Sequence, residues 1–202
     1  MRLNFKKFCF AACMAGILLT PILTHADSVN VQVNDRDAAY GDDVNGHFTW
    51  GIGLGGAVLG DGFGNTYSAG YGLDGNVGLK VDRNLAFLLA VDSYIFNSND
   101  GSFYNGEVNF MPSVRLTIAE KHSEVKPYLI VGAGLNDNIE YYQTFYGTDT
   151  ANAVSPVVGG GIGIAFRVDR KLDVYIQGKY EDVLATGGSF SYFPIAAGVQ
   201  FN

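Results

Sequence analysis

Charge is scarce in this chain: 16% of its 202 residues are Asp, Glu, Lys or Arg, against about 25% in ordinary soluble domains. Cysteine is limited to Cys9 and Cys13, histidine to three residues and tryptophan to one. There is no basic excess. Thirteen Lys and Arg face 20 Asp and Glu, a net charge of −7, which excludes the electrostatic footprint of a nucleic-acid binder. No stretch after residue 27 has an amphipathic helical period. What is abundant is glycine, with 27 residues, and aromatic side chain, with 14 Phe and 12 Tyr. The glycines lack a period of three, which excludes collagen. A 48% hydrophobic content excludes a disordered chain. The composition is not that of a typical soluble enzyme.

The first 26 residues read as a secretory signal peptide. Arg2, Lys6 and Lys7 form a basic n-region, Phe8 to Leu23 an apolar run, and Thr24-His25-Ala26 a cleavage site. The apolar run falls short of the ~20 residues that a membrane helix needs. Removal of this segment takes away both cysteines. The mature chain therefore has no disulfide, zinc-thiolate site or cysteine nucleophile. It keeps ten Lys and Arg against 20 Asp and Glu, a net charge of −10. Residues 27–45 are acidic and polar and read as a periplasmic N-terminal tail.

From residue 46 onward, apolar and small or polar residues alternate with period two, interrupted by turn residues. Eight strands are expected, over 46–59, 67–81, 85–96, 103–118, 125–136, 154–168, 172–182 and 190–201. Several match the ~9–11 residues that cross a bilayer at a tilt. The connections alternate in character. Asp82-Arg83-Asn84, 119–124 and Asp169-Arg170-Lys171 are short and polar, whereas 60–66, 97–102, 137–153 and 183–189 are mostly longer. Short turns on one side and longer loops on the other are the pattern of a transmembrane barrel. The longest loop carries Tyr141, Tyr142, Phe145 and Tyr146 and is a candidate surface-binding loop.

Sorting the strands by parity separates two faces. One carries large apolar residues and no charge, for example Ile52, Leu54, Leu89, Val131, Ile162 and Ile195. The other carries Asp74, Asp92, Glu107, Asp173 and Glu181, then Lys80, Arg115, Lys126, Arg167 and Lys179, with much of the glycine. Volume decides which face is inside. An eight-stranded barrel encloses room for modest side chains or one small ligand, so the large apolar residues must face outward. Such a belt aggregates in water and is at home in lipid, where a closed barrel pairs every backbone group.

Aromatics near strand ends fit interfacial girdles: Phe48, Trp50 and Phe201 at the terminus end, and Tyr67, Phe96, Tyr104 and Tyr180 at the loop end. Pro127 and Pro156 fall near strand starts. Pro112 and Pro194 fall inside strands and are expected to mark bulges or bends.

The signal peptide, the eight alternating strands, the Lys126-Pro127-Tyr128-Leu129-Ile130-Val131-Gly132-Ala133-Gly134-Leu135 strand and the closing Gly198-Val199-Gln200-Phe201-Asn202 resemble the OmpA/OmpX-type small outer-membrane β-barrel family. The resemblance covers 46–202. It implies an all-β, eight-stranded, antiparallel up-and-down transmembrane barrel (an OmpA-like transmembrane domain) in the cell outer membrane. It also implies that Phe201 in the last strand serves as the signal read by the barrel-assembly machinery.

Within the lumen, Arg167 lies opposite Asp173 across its turn, and Asp74 lies opposite Asp92. If Phe96 pairs with Phe103, Glu107 also lies opposite Asp92. Three carboxylates in a row demand nearby cations. Lys179, helped by Arg115, is expected to neutralise them and close the lumen. A cation site or narrow gate at the cluster is the functional alternative.

No catalytic, cofactor or metal residues stand out. His47 opens a strand and His122 sits in a short turn. Gly159-Gly160-Gly161-Ile162-Gly163 lies mid-strand without the helix and Lys of a phosphate loop. The expected role is structural or surface-interacting, through extracellular loops. A small gated pore and, more remotely, a lipid-modifying enzyme are the alternatives. Expected partners are outer-membrane lipid and lipopolysaccharide, barrel-assembly machinery and periplasmic chaperones during biogenesis, and an extracellular ligand at the loops. A monomer is expected.

Overall fold

A computed structural model of the chain describes residues 46–60, 66–101, 103–120, 123–144, 147–186 and 188–202, without the side chains of 142–144 and 147–149. The signal peptide, the tail, His122, Phe145 and Tyr146 lie outside the described residues. Eight strands follow one another: β1 (His47–Leu59), β2 (Gly70–Lys80), β3 (Leu85–Asn97), β4 (Phe103–Thr117), β5 (Val125–Thr144), β6 (Gly147–Asp169), β7 (Leu172–Val183) and β8 (Phe190–Phe201). Each pairs antiparallel with its neighbours, and β1 pairs with β8 to close the barrel. Closure leaves no sheet edge within the wall, as a strand structure crossing a membrane requires.

Period-two alternation becomes inside and outside. Leu54 is 70% exposed and Ile162 66%, whereas the neighbouring polar face is buried. The exposed face is apolar on every strand, the condition for contact with lipid.

Turn chemistry sets the registers. Asp82 Oδ1 accepts from the backbone N–H of Asn84 at 2.6 Å and of Leu85 at 2.8 Å, tightening the β2–β3 turn. Between β3 and β4, the Gly101 N–H donates to the Ser98 carbonyl at 3.0 Å, and Gly101 has φ +72°. This left-handed glycine lets a four-residue loop close on Ser98 and Phe103. Phe96 therefore pairs with Asn105, not with Phe103 as expected. The shift is two residues. Every side chain keeps its face, but Asn109, not Glu107, comes to stand beside Asp92.

The expected loop 137–153 is strand over most of its length. β5 and β6 stay paired to Thr144↔Gly147, beyond the last β4–β5 rung at Phe103↔Tyr142 and the last β6–β7 rung at Val157↔Val183, so a ribbon extends past the neighbouring strands. The prolines also depart from expectation. The β4–β5 ladder is interrupted between Phe110↔Leu135 and Ser113↔Gly132, yet the register is the same on both sides of Pro112. The β7–β8 register is likewise unchanged across Pro194. Each proline lacks a donor and spoils a rung locally, without a bulge. A register shift lies instead between Arg167 and Asp169, at the β6–β7 turn.

Two of the expected girdle aromatics are inside. Tyr67 and Phe96 are buried, while Trp50 and Tyr180 face outward. The inner face also holds Tyr94, Tyr128, Tyr175 and Tyr192. Glycine makes room for them. Gly72 is the cross-strand partner of Tyr94, Gly163 of Tyr128 and Gly198 of Tyr175. A Cβ on Gly72 would lie 2.7 Å from the Tyr94 ring and one on Gly198 2.8 Å from the Tyr175 ring.

Candidate functional site

The lumen is filled in layers. At its centre β7 projects Lys179 inward, while β2 and β3 bring Asp74 and Asp92 together as direct cross-strand partners. Lys179 Nζ lies 2.5 Å from Asp92 Oδ2, 3.0 Å from Asp74 Oδ2 and 3.2 Å from Glu181 Oε1. All four side chains are buried. The Tyr175 hydroxyl donates to Asp74 Oδ1 at 2.9 Å, and Gln177 Nε2 donates to Asp74 Oδ2 at 2.8 Å. One ammonium serves three carboxylates. Such charges persist in a low-dielectric interior only with close partners and added hydrogen bonds.

Toward the short-turn end, Arg115 forms a separate layer. Its guanidinium carbon lies 5.5 Å from the centroid of the Tyr128 ring, and Nη1 donates to Gln200 Oε1 at 3.1 Å. Gln200 Nε2 donates to Thr49 Oγ1 at 2.6 Å, which donates to the Phe201 carbonyl at 2.8 Å. Arg115 is thus tied to Gln200 and Tyr128, with no ion pair to the central carboxylates among the described residues. The space bounded by Asp74, Asn76, Arg115, Tyr128 and Lys179 measures about 10 Å³, room for about one water. Below it the register pairs Arg167 with Asp173. Lys126 reaches across from β5 to within 3.0 Å of both Asp173 oxygens, and Asn202 Nδ2 donates to Oδ2 at 2.9 Å.

Toward the loop end, Glu107 is held by amides. Asn105 Nδ2 donates to Oε1 at 2.8 Å, Asn138 Nδ2 to Oε1 at 2.7 Å and Asn136 Nδ2 to Oε2 at 2.7 Å. The two-residue change of register took Glu107 away from Lys179 and put it among asparagines. Asn136 Nδ2 also donates to Asn109 Oδ1 at 2.7 Å, and Asn109 Nδ2 donates to Glu181 Oε2 at 2.5 Å. Asn109 Nδ2 further contacts the Tyr192 hydroxyl. The amide layer is therefore joined to Lys179 through Glu181.

Above it sits an apolar plug. Tyr94, Phe96 and Tyr192 are wholly buried, with ring centroids 6.0–6.5 Å apart. Leu59, Tyr67, Val157, Val183 and Phe190 complete the cluster. Parity alone marks these aromatics as inward, and that signal was legible in the sequence.

On the outer surface, Tyr141 stacks on Tyr104 at 4.6 Å and 20°. Tyr142 pairs through its backbone with Phe103. At the other end Phe201 stacks on Trp50 at 4.2 Å and 15°.

No family model matches the chain, and no curated protein matches it. Solved structures do. Neisserial surface protein A (NspA) is similar with a TM-score of 0.58 at 19% identity, over 76% of this chain and 96% of that one. Ail, the attachment invasion locus protein of Yersinia pestis, is similar with a TM-score of 0.53 at 15% identity, over 78% of this chain and 100% of that one. Ail in complex with the heparin analogue sucrose octasulfate gives 0.52 at 12% identity, over the same shares. At such identities the likeness is one of fold. The chain has the fold of the small OmpA/OmpX-type outer-membrane β-barrels.

Proposed function

We propose that this protein is an outer-membrane barrel of the Gram-negative envelope. It acts as a structural and surface-interacting protein through its loop end, and its lumen stays closed. The observation that carries this reading is the β5–β6 ribbon. β7 pairs with β6 only from Val157 onward, so residues 147–155 pair with β5. Nine residues of strand amount to roughly 30 Å at ~3.3 Å each. A paired, semi-rigid ribbon presents side chains to a partner with less ordering cost than a free loop. At its base Tyr141 of β5 stacks on Tyr104 of β4, and tyrosine is a residue type that anchors interfaces. A surface protein and an attachment protein share the fold, which is compatible with this reading.

The layered lumen argues against conduction, and the reading assigns no catalytic role. The outer belt meets membrane lipid and lipopolysaccharide. Phe201 is presented to the barrel-assembly machinery after periplasmic chaperones deliver the monomer.

The mature chain lacks cysteine, so one introduced thiol reports topology cleanly. An Asn152→Cys variant is expected to react with a membrane-impermeant maleimide on intact cells. Deleting 143–148, the tip beyond the last β4–β5 rung at Phe103↔Tyr142, is expected to leave a folded, heat-modifiable barrel and to abolish adhesion of expressing cells to glycan- or protein-coated surfaces. Labelling only after lysis, or adhesion unchanged by the deletion, would reject the surface role. Steady openings in planar bilayers that change with Lys179→Met would replace it with a gated pore.

A further inference from the structure

The β5–β6 ribbon has one long open edge. On the β5 side, β4 stays paired as far as Phe103↔Tyr142. On the β6 side, β7 stops at Val157↔Val183, and residues 147–155 run past it in unbroken register with β5. The Leu184 N–H donates to the Pro156 carbonyl at 2.8 Å, so that carbonyl points to the β7 side of β6. In an antiparallel strand the N–H and C=O of one residue point the same way, and alternate residues share a side. The backbone groups of Thr148, Asn152 and Val154 therefore point away from β5, and among the described residues no strand pairs with them. Residues 150–154 are all exposed. Sheet edges are usually blunted by lysine, proline or a bulge. Residues 147–155 contain no lysine or proline, and their register with β5 has no bulge. Such an edge can accept one more strand.

Charge selects what that strand carries. No Lys, Arg or His occurs from Pro127 to Phe166, and none occurs in 60–66, 97–102 or 183–189. Acidic residues surround the edge. Asp149 is on β6 itself, Asp137 and Glu140 on β5 pair with Val154 and Ala151, and Asp182 on β7 pairs with Val158. Adjacent strands lie about 4.8 Å apart, so long side chains on an added strand reach these carboxylates. A second copy of this chain would bring a like-charged edge, whereas a cationic segment meets only opposite charge.

We propose that the open edge of β6, over residues 148–154, takes an extended cationic peptide segment of another protein as an added strand. Backbone exchange with Asn152 and Val154 supplies affinity, and the surrounding carboxylates select sequence rich in lysine or arginine. Resting on the surface role proposed above, this edge gives that role its partner class.

The test uses the whole barrel folded in zwitterionic micelles and a short fluorescent peptide of alternating Lys and Thr. Saturable binding by anisotropy is expected, weakened by salt and lost when Glu replaces Lys. An analogue N-methylated at every central amide keeps the charge but lacks the donors, and its affinity should fall at least about tenfold. Amide hydrogen exchange at Asn152 and Val154 should slow when the unmethylated peptide binds. Asn152→Pro removes one N–H from the open side, where proline is tolerated, and should weaken binding roughly fivefold. Absent binding, or equal affinity for the two Lys peptides, overturns the proposal. So does protection of Asn152 that rises with protein concentration without peptide, which gives the edge to a second copy. If gel mobility shows that Asn152→Pro does not fold, the two peptides on the wild type decide. Adhesion lost on deletion of the ribbon tip, beside absent peptide binding, rejects this partner and leaves the surface role standing.

Discussion

Lys179 on β7 and Asp92 on β3 meet at 2.5 Å, and three strands lie between β3 and β7 on either side of the eight-stranded closure. The contact therefore spans the barrel and ties opposite walls together. Asp74 and Glu181 lie within 3.0 and 3.2 Å of the same nitrogen. Its removal leaves three carboxylates buried without their cation.

Lys179→Met is expected to destabilise the barrel by about 3–5 kcal/mol, the range for breaking a buried pair from one side. Urea unfolding midpoints in lipid vesicles measure it. Adding Asp92→Asn to Lys179→Met should recover part of the loss, because one buried charge then disappears. A double variant no more stable than the single one would show that the cluster is not coupled in this way.

The glycines separate into two kinds. A Cβ on inward Gly134 would fall on the Phe110 carbonyl and 2.8 Å from Met111 Cα, all backbone atoms, whereas one on outward Gly178 meets nothing within 4 Å. Gly134→Ala should cost about 1–3 kcal/mol through overpacking. Gly178→Ala should be neutral or stabilise by up to about 1 kcal/mol through the unfolded chain. Paired unfolding curves distinguish these outcomes.

Trp50 is the single tryptophan of the chain, 45% exposed on the outer face and stacked on Phe201. Its fluorescence should shift to the blue on insertion into vesicles. It should also be quenched more by lipids brominated near the headgroup than by those brominated at the chain end, as an interfacial position requires. Phe201→Ala should remove about 0.5–1.5 kcal/mol of ring contact and lower the yield of inserted protein in cells.

Tyr67 lies outside the wall strands, bridged to Ser98. Burial, then the charges of Glu140 and Glu107, push its phenol up to about 12. A raised pKa means that the folded state holds its proton after the unfolded chain has lost it. Stability tied to this group is complete below the ordinary value near 10 and is lost as pH rises toward 12. Unfolding midpoints measured at pH 9 and pH 11.5 should diverge less in Tyr67→Phe than in the wild type. Equal divergence would remove Tyr67 from the effect.

Much of the fold could be read from residue order alone. Ile52, Leu54 and Ile162 alternate with glycine or other small residues, and volume permits only one face to be outside. The antiparallel pairs that follow from the short turns were legible too, including Asp74 beside Asp92. Tyr94, Phe96 and Tyr192 carried inward parity, and their burial could have been derived from it. The neighbours of Glu107 could not. They depend on the register across the β3–β4 turn, which is displaced by one residue along the chain to Asn97↔Tyr104 with Gly101 at a positive φ.

The sequence by itself determined the barrel, its inside and its outside, because a period of two admits no other assignment once volume is counted. Only the tertiary structure decided which inner residues share a height. That outcome depends on turn geometry and on closure of β1 against β8, which bring together residues far apart along the chain. It placed Glu107 among asparagines, Arg115 against Tyr128 and Lys179 between three carboxylates. It also made strand of most of the segment 137–153, since backbone pairing between β5 and β6 continues to Thr144↔Gly147.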